Sequence, residues 1–138
     1  MKEVDRFNIR VYGLLFHGGS VLVSDEMVQG RRITKFPGGG MMPGEGTLDC
    51  LRREIREETG LEVEVGAELP EVRYRDHKDR PKVVRYWAME AVGGRFEPND
   101  EVDVLRWLAP VAAAELLSYP HDVELLAHLP ASGSVHRR

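Results

Sequence analysis

The stretch from Gly39 to Leu61 reads GGMMPGEGTLDCLRREIREETGL. It opens as a glycine-rich loop, and from Thr47 to Thr59 it continues with apolar and charged residues at the spacing of an amphipathic helix. Gly60 then stands where a glycine in the left-handed conformation commonly ends a helix. The stretch therefore predicts a loop, a helix over Thr47–Thr59 and a sharp stop.

Three glutamates of this helix, Glu54, Glu57 and Glu58, share one arc of about 100°. The neighbouring apolar arc, which is expected to pack, consists of Leu48, Leu51 and Ile55. Like charges three and four residues apart each destabilise a helix by about 0.2–0.5 kcal/mol, and Arg53 offsets part of this cost through Glu57. A cation is therefore expected at the acidic arc. Carboxylate oxygens without histidine or cysteine suit Mg²⁺ or Mn²⁺ better than zinc.

The fixed positions of the stretch resemble the Nudix box, which reads Gly, five residues, Glu, seven residues, Arg-Glu, aliphatic, any, Glu-Glu, any, Gly, aliphatic. The residues that fill it are Gly39, Glu45, Arg53, Glu54, Ile55, Glu57, Glu58, Gly60 and Leu61. At a frequency of about one in ten each, the non-aliphatic positions alone match by chance at roughly one in 10⁷ starting points. A merely solvated charged helix, the usual explanation of a charge run, therefore explains this stretch poorly.

The resemblance implies an α/β fold, the Nudix-type α/β/α sandwich, with a curved mixed β-sheet and the box as a loop–helix–loop catalytic unit. Residues 1–138 are expected to form one domain, with about 130–138 as a flexible tail. The pattern along the chain agrees, because strand-like runs are interleaved with further helical segments. Val83–Val92 is apolar almost throughout and is expected to be a central strand.

Periodicity and turn residues predict the remaining elements. They are a hairpin of Phe7–Phe16 with Val21–Val23, a polar loop at Met27–Arg32, an extended Ile33–Phe36, a loop at Pro37–Gly46, a strand from Leu61 to Val65 or Tyr74, a strand at Val102–Leu108, and helices at Pro110–Leu117 and His121–Leu129.

By resemblance, the box holds the metal and the catalytic carboxylates. The implied metal ligands are Glu54, Glu57 and Glu58, with a backbone carbonyl at Gly39. Arg53 is expected to orient a carboxylate rather than bind substrate, and Glu54 or an acid outside the box acts as the base. Glu45 either supports the loop or ligates the metal directly, and both roles stay open.

Members of the family commonly carry a further acid on a loop before a late strand. Glu101 fits this place best, between Gly93-Gly94 and the strand predicted from Val102, and would join the catalytic and metal-binding residues. Glu97 is the second candidate. Both could equally be solvent-facing acids.

Several cations are available for the phosphates of a substrate. They are Arg31, Lys35, Arg75, Lys78, Arg80 and Lys82. Between Arg73 and Arg85 six basic residues stand against two acidic ones, which indicates either an anion-binding edge or an ordinary solvated loop. Tyr86 offers a stacking face for a base, and alternation along the strand places only one of Tyr86 and Trp87 in a cleft.

The composition limits the partners. The formal net charge of −4 argues against a nucleic-acid polymer as ligand. The sequence has no apolar run of about 18 residues and no secretory h-region, so we expect a cytoplasmic protein without a membrane contact. A single cysteine, Cys50, excludes an intrachain disulfide and has no neighbours at zinc-ligand spacing. A monomer or homodimer acting on a nucleotide-type small molecule is expected.

The implied substrate is a nucleoside diphosphate linked to another moiety. Lys78–Asp103 and Leu116–Asp122 resemble MutT-like members that act on oxidised guanine nucleotides and dinucleoside polyphosphates, whereas Phe7–Cys50 resembles another branch. The alternatives are a nucleotide-sugar (ADP-ribose-type) pyrophosphatase and a non-catalytic nucleotide-sensing Nudix module. Asp76 and His77 stand where ADP-ribose-type members carry a proline, and the complete set of box glutamates favours catalysis over sensing.

We predict that Glu101→Gln lowers kcat by about 10²-fold or more with little change in KM, because the lost carboxylate acts in the transition state. Steady-state kinetics measure this. Glu97→Gln is the paired control, and a loss carried by Glu97 instead of Glu101 would transfer the role to Glu97.

Overall fold

The computed structural model describes residues 8–95 and 104–128. The strands are β1 (Asn8–His17), β2 (Ser20–Val28), β3 (Arg31–Lys35), β4 (Gly38–Gly40), β5 (Leu61–Arg75), β6 (Pro81–Gly94) and β7 (Val104–Leu108). The helices are α1 (Thr47–Thr59), α2 (Pro110–Leu116) and α3 (Pro120–Leu125), followed by a 3₁₀ turn at Leu126–His128. Glu97, Glu101 and the expected tail at 130–138 lie outside the described residues.

The described strands form one mixed sheet in the order β3-β2-β1-β6-β5, with β4 paired to β1 and β7 paired to β2. β1 and β6 run parallel from Asn8↔Lys82 to Phe16↔Glu90, and the other pairs are antiparallel. β6 lies between β1 and β5, which confirms the prediction that Val83–Val92 is a central strand. Its buried residues alternate between two cores, as a strand covered on both faces requires.

Each face of the sheet has its own core. On one face Leu51 and Ile55 of α1 pack with Val11, Trp87 and Met89. The other core contains Leu14, Phe16, Val23, Phe36, Val84 and Tyr86 with Ala113, Leu117 and Leu125 of the C-terminal helical region. Helices therefore cover both faces, which confirms the predicted α/β/α arrangement. Within the described residues, no helix has the length and apolar character needed to cross a membrane.

The box helix has the predicted bounds, Thr47–Thr59. Gly60 follows in the left-handed conformation at φ 74°, and its N–H donates to the carbonyl of Arg56 at 2.8 Å. The predicted packing arc is wrong at Leu48, which is 38% exposed. The first turn lacks cover because the loop residues before it, Met42 to Gly44, are themselves exposed.

The predicted loop at Met27–Arg32 is also wrong. β2 continues to Val28 and β3 begins at Arg31, so only Gln29 and Gly30 form the turn. Both turn residues have positive φ, 51° and 77°, as a two-residue type I′ hairpin turn requires. The polar character of this hairpin reflects the exposure of its end rather than an irregular backbone.

One further prediction needs correction, because the predicted loop at Pro37–Gly46 contains β4, which pairs with β1.

The strand after the box was predicted to end at Val65 or at Tyr74, and the structure agrees with the longer alternative. β5 continues to Arg75, with irregular register near Val65 and Leu69.

We predict that Leu51→Ala lowers the free energy of unfolding by about 2–5 kcal/mol, since it leaves a cavity in a fully buried position. Urea titrations at unchanged m-value measure the loss. Leu48→Ala is the matched control on the same helix and should cost less than about 1 kcal/mol. Equal losses in the two variants would contradict this account of how α1 packs.

Candidate active site

Arg53 binds three carboxylates of the box. Its guanidinium donates to both oxygens of Glu45 at 2.7 and 3.0 Å, to Glu54 at 3.2 Å and to Glu57 at 3.1 Å. It also reaches the Gly40 carbonyl at 3.4 Å. The hydrogen bonds that Arg53 donates to Glu45 lower the pKa of Glu45 to about 2 and raise the pKa of Arg53 above its usual value. Arg53 therefore joins the glycine loop to the acidic face of α1.

Glu58 does not lie on an exposed arc. It is 5% exposed, and its carboxylate accepts a hydrogen bond from the Gly38 N–H at 3.2 Å. The helix turns this glutamate toward β4, while Glu57 remains about half exposed. The acidic arc is therefore not uniformly exposed, because Glu58 is buried against β4.

Gly39 lies directly against the acidic face. A Cβ at this position would come within 2.4 Å of the Glu54 carboxylate, so only glycine leaves the room that the carboxylate occupies. The backbone of the glycine loop is thus in close contact with a glutamate of the box.

The fit of these residues to a divalent cation is mixed in this structure. The donors are all carboxylate and carbonyl oxygens, which suit Mg²⁺ or Mn²⁺. Among residues 8–95 and 104–128, however, no three acidic, histidine or cysteine side chains converge closely enough to hold a metal ion. Glu54 and Glu57 instead accept hydrogen bonds from Arg53. The oxygen ligands are therefore of the type that Mg²⁺ or Mn²⁺ prefers, but the side chains are arranged around the Arg53 guanidinium.

A cavity of about 530 Å³ opens on the sheet face that α3 borders. Its lining residues are Arg10, Tyr12, Glu26, Val28, Lys35, Val72, Tyr74, Val84, Tyr86, Tyr119, His121 and Asp122. The rings of Tyr12 and Tyr86 stack with centroids 5.9 Å apart and an angle of 28°. They are adjacent because Tyr12 and Tyr86 are partners in the parallel β1–β6 register. The cavity thus has an aromatic wall with charged groups around it.

Arg10 connects the cavity to the box. Its Nε donates to the Tyr12 hydroxyl at 2.7 Å, and its Nη1 would lie 3.3 Å from a Cβ at Gly40. Although burial lowers it, the pKa of Arg10 is raised overall by Tyr12 and by the charge of Glu54. The link follows from β4, which pairs Arg10 with Gly40 and Tyr12 with Gly38.

Asp122 is the buried acid of the cavity, with 6% of its surface exposed. Burial raises the pKa of its carboxyl to about 7, against the opposing effect of the nearby Lys35 ammonium. Burial likewise raises the pKa of Tyr86, with Asp122 adding to the shift, and lowers the pKa of His121. The His121 ring lies 5.2 Å from that of Tyr86.

The structure brings two of the predicted substrate-binding residues, Lys35 and Tyr86, to the cavity. Tyr86 faces it while Trp87 packs in the opposite core, as alternation predicts. Arg31 lies at the exposed end of β3 and does not line the cavity.

The basic segment is largely neutralised by its own acids. Arg75 pairs with Asp79 at 2.7 Å, and Asp76 pairs with Arg80 at 2.9 Å and Lys82 at 3.5 Å. Backbone and side-chain hydrogen bonds from Arg80 lower the pKa of Asp76. Of the four predicted cations here, Lys78 and Arg80 line neither pocket, whereas Arg75 and Lys82 line a smaller one of about 240 Å³.

Sequence reasoning did not assign several cavity residues. They are Arg10, Tyr12, Glu26, Tyr119, His121 and Asp122. A signal existed for the first two, because Arg10 and Tyr12 are polar residues two positions apart in a strand and so share one face. Asp122 had no comparable signal, since its burial depends on how α3 packs.

The sequence profile of the NUDIX domain matches residues 7–129, and the chain belongs to the NUDIX family. An 8-oxo-(d)GTP phosphatase of Mycolicibacterium smegmatis is 43% identical over 91 residues, which cover 66% of this chain and 28% of that protein. A CTP pyrophosphohydrolase of Escherichia coli is 27% identical over 118 residues, covering 84% of this chain and 86% of the other. The solution structure of the E. coli ORF135 protein is similar at a TM-score of 0.74 and 26% identity, covering 88% and 86% of the two chains.

These similarities confirm the predicted family and the Nudix-type α/β fold. The matched stretch spans little more than a quarter of the length of the M. smegmatis protein, whereas it spans most of the E. coli protein.

We predict that the free energy of unfolding falls as the pH rises from about 4 to about 7, by at most about 1.4 kcal/mol per unit from Asp122. Folded Asp122 keeps its proton up to a pKa of about 7, whereas the unfolded carboxyl loses it near its ordinary value. The raised pKa therefore stabilises the fold at low pH, and this contribution is lost as the pH rises.

Denaturant titrations between pH 4 and 8 measure this dependence. Asp122→Asn should remove it, and Asp49→Asn, which changes an exposed acid of α1, should retain it. Identical pH profiles for the wild type and Asp122→Asn would show that Asp122 does not hold a proton in the folded state.

Proposed function

We propose that this chain is a divalent-cation-dependent hydrolase that cleaves a phosphoric anhydride bond in a nucleotide. The observation that carries the proposal is the connection, through Arg10, of an acidic box to a cavity walled by stacked tyrosines. The box has the residue types for anhydride hydrolysis, and the cavity has the size and aromatic wall that suit a nucleobase. Family membership supports the same conclusion.

Nucleoside triphosphates are the substrates we favour. The two relatives described above are named for 8-oxo-(d)GTP and for CTP, which share a triphosphate and differ in the base. Dinucleoside polyphosphates contain the same kind of linkage and come second. A nucleotide-sugar substrate has less support, since neither of those names refers to one.

Glu54, Glu57 and Glu58 would hold Mg²⁺ or Mn²⁺, with a backbone carbonyl of the Gly39 region. The bound ion would neutralise phosphate charge and make a water molecule easier to deprotonate. Glu54, or Glu101 outside the described residues, would accept the proton. Arg53 would position these carboxylates, since it already contacts Glu54 and Glu57 in the structure.

The other side chains would bind and orient the nucleotide. Tyr12 and Tyr86 would contact the base, and Arg10, at the end of the cavity nearest the box, would meet the phosphates. The basic segment would contribute less, because its cations are paired with Asp76 and Asp79. We further propose one domain, a cytoplasmic location, a monomer or homodimer, and no nucleic-acid polymer as ligand.

A substrate panel tests the proposal. It compares nucleoside triphosphates, including 8-oxo-dGTP and CTP, with a dinucleoside tetraphosphate and ADP-ribose, and follows phosphate or pyrophosphate release. Binding without turnover of any compound would favour the sensing module instead.

We predict that EDTA abolishes turnover and that Glu57→Gln lowers kcat by about 10²-fold or more, because an anionic oxygen ligand is lost. Glu57 is a better probe than Glu58, whose carboxylate also binds the Gly38 N–H and so contributes to the fold. Added Mg²⁺ or Mn²⁺ should restore the wild type.

Glu62→Gln is the matched control, since Glu62 is an exposed glutamate that pairs with Arg56 outside the acidic face. Undiminished turnover in EDTA, or full activity of Glu57→Gln, would contradict the proposed metal site.

A further inference from the structure

Lys35 is a basic residue that lines the cavity together with Arg10. Its side chain is only 13% exposed, and its ammonium lies 3.6 Å from the Glu26 carboxylate and 5.5 Å from the centroid of the Tyr12 ring. Its charge also acts on Asp122. All three neighbours line the cavity, and none belongs to the glycine loop or to α1.

A phosphate contact is expected for Lys35 from the sequence, whereas its neighbours indicate a different role. Arg10 approaches the box, since its guanidinium is close to Gly40 and its pKa responds to the charge of Glu54. Lys35 lies beside Glu26 and over the Tyr12 ring, and its charge acts on Asp122. A ligand whose phosphates lie at the box and whose base stacks on the tyrosines would present the base, not the phosphates, to Lys35.

The backbone around Lys35 is fixed relative to α3. The N–H of Ser118 donates to the carbonyl of Thr34 at 2.9 Å, and the N–H of Thr34 donates to the Ser118 hydroxyl at 2.8 Å. Thr34 also donates its own hydroxyl to the buried Asp25 at 2.7 Å. The strand that carries Lys35 and the segment that leads to Asp122 are thereby held together, so the two groups face the ligand with a defined separation.

We propose that Lys35 determines which nucleobases the cavity accepts, by donating a hydrogen bond to a carbonyl oxygen of the base. This inference rests on the proposed function. An ammonium has three donors and no acceptor, so one N–H can serve Glu26 while another remains for the ligand.

The nucleobases differ in whether they carry a carbonyl oxygen that could accept a hydrogen bond from Lys35. Guanine, cytosine and uracil each carry a ring carbonyl oxygen. Adenine accepts only at ring nitrogens, and at the position of the guanine O6 it carries an amino group that cannot accept from Lys35. A site with a buried donor rejects a ligand that cannot pair with it, because the donor loses its solvation without gaining a partner. Lys35 should therefore favour carbonyl-bearing bases over adenine.

The test measures kcat/KM for GTP, CTP, UTP and ATP with the wild type, Lys35→Met and Lys35→Arg. We expect Lys35→Met to lose roughly 10-fold or more on the preferred carbonyl-bearing base and less than about twofold on ATP, with Lys35→Arg restoring part of the preference. Arg56→Met removes an exposed cation of α1 outside the cavity and should leave the base ranking unchanged. The double variant Glu26→Gln/Lys35→Met avoids leaving Glu26 without its partner and should give the same ranking as Lys35→Met.

An equal loss on all four bases, in both the single and the double variant, overturns the inference. So does a loss that grows from the diphosphate to the triphosphate of one base, since that would place Lys35 on the phosphates.

Binding of nucleoside monophosphates, measured by calorimetry, separates this inference from the proposed function. These ligands contain no anhydride to hydrolyse, so a preference of the wild type for GMP, CMP or UMP over AMP that Lys35→Met abolishes supports Lys35 even if turnover is absent. Equal binding of all four monophosphates by the wild type and Lys35→Met counts against Lys35 even if the enzyme is active.

Discussion

The parallel pairing of β1 with β6 is the constraint on which the rest of the structure depends. Both strands are covered on two sides, so each successive residue is committed to one core or the other. Val11 and Trp87 thereby contribute to the face that receives α1, while Tyr12 and Tyr86 contribute to the face that contains the cavity. A shift of one residue between these strands would exchange the two faces and separate the stacked rings.

The acidic helix face shows how a fold compensates for clustered charge. Three glutamates on one side of a helix repel each other, and the sequence led us to expect a cation from solution beside them. The chain supplies one itself, because Arg53 contacts Glu45, Glu54 and Glu57 together. Glu58 takes its hydrogen bond from the backbone of β4. In this arrangement the glutamates and the glycine loop form one connected unit.

The parts of the fold that depend on neighbouring residues could be predicted from the sequence. The bounds of α1 and its stop at Gly60 follow from periodicity and from the conformational freedom of glycine. The central place of β6 follows from its apolar character on both faces. The β2–β3 hairpin was missed because an exposed strand end and a polar loop have the same composition, and only the pairing partner distinguishes them.

The cavity could not be predicted, because its residues come from β1, β2, β3, β5, β6 and the region of α3, and no local pattern links them. Counting charges likewise left two interpretations open for the segment from Arg73 to Arg85, an anion-binding edge or a solvated loop. In the structure Asp76 forms ion pairs with Arg80 and Lys82, which the charge count does not reveal. The net charge of a surface depends on which side chains form ion pairs, and these contacts are determined by the tertiary structure.

The β1–β6 pairing also orders the events of synthesis. β1 leaves the ribosome well before its long parallel partner, which is the sixth strand of the described chain. Pairings between distant segments form slowly, since the entropy of closing a large loop is lost before the new contacts stabilise the chain. The hairpin of β1 and β2 can form early, but one edge of β1 stays open until β6 has emerged. Nascent chains of this protein therefore expose an apolar strand edge between the synthesis of β1 and that of β6, and an open apolar edge is prone to aggregation.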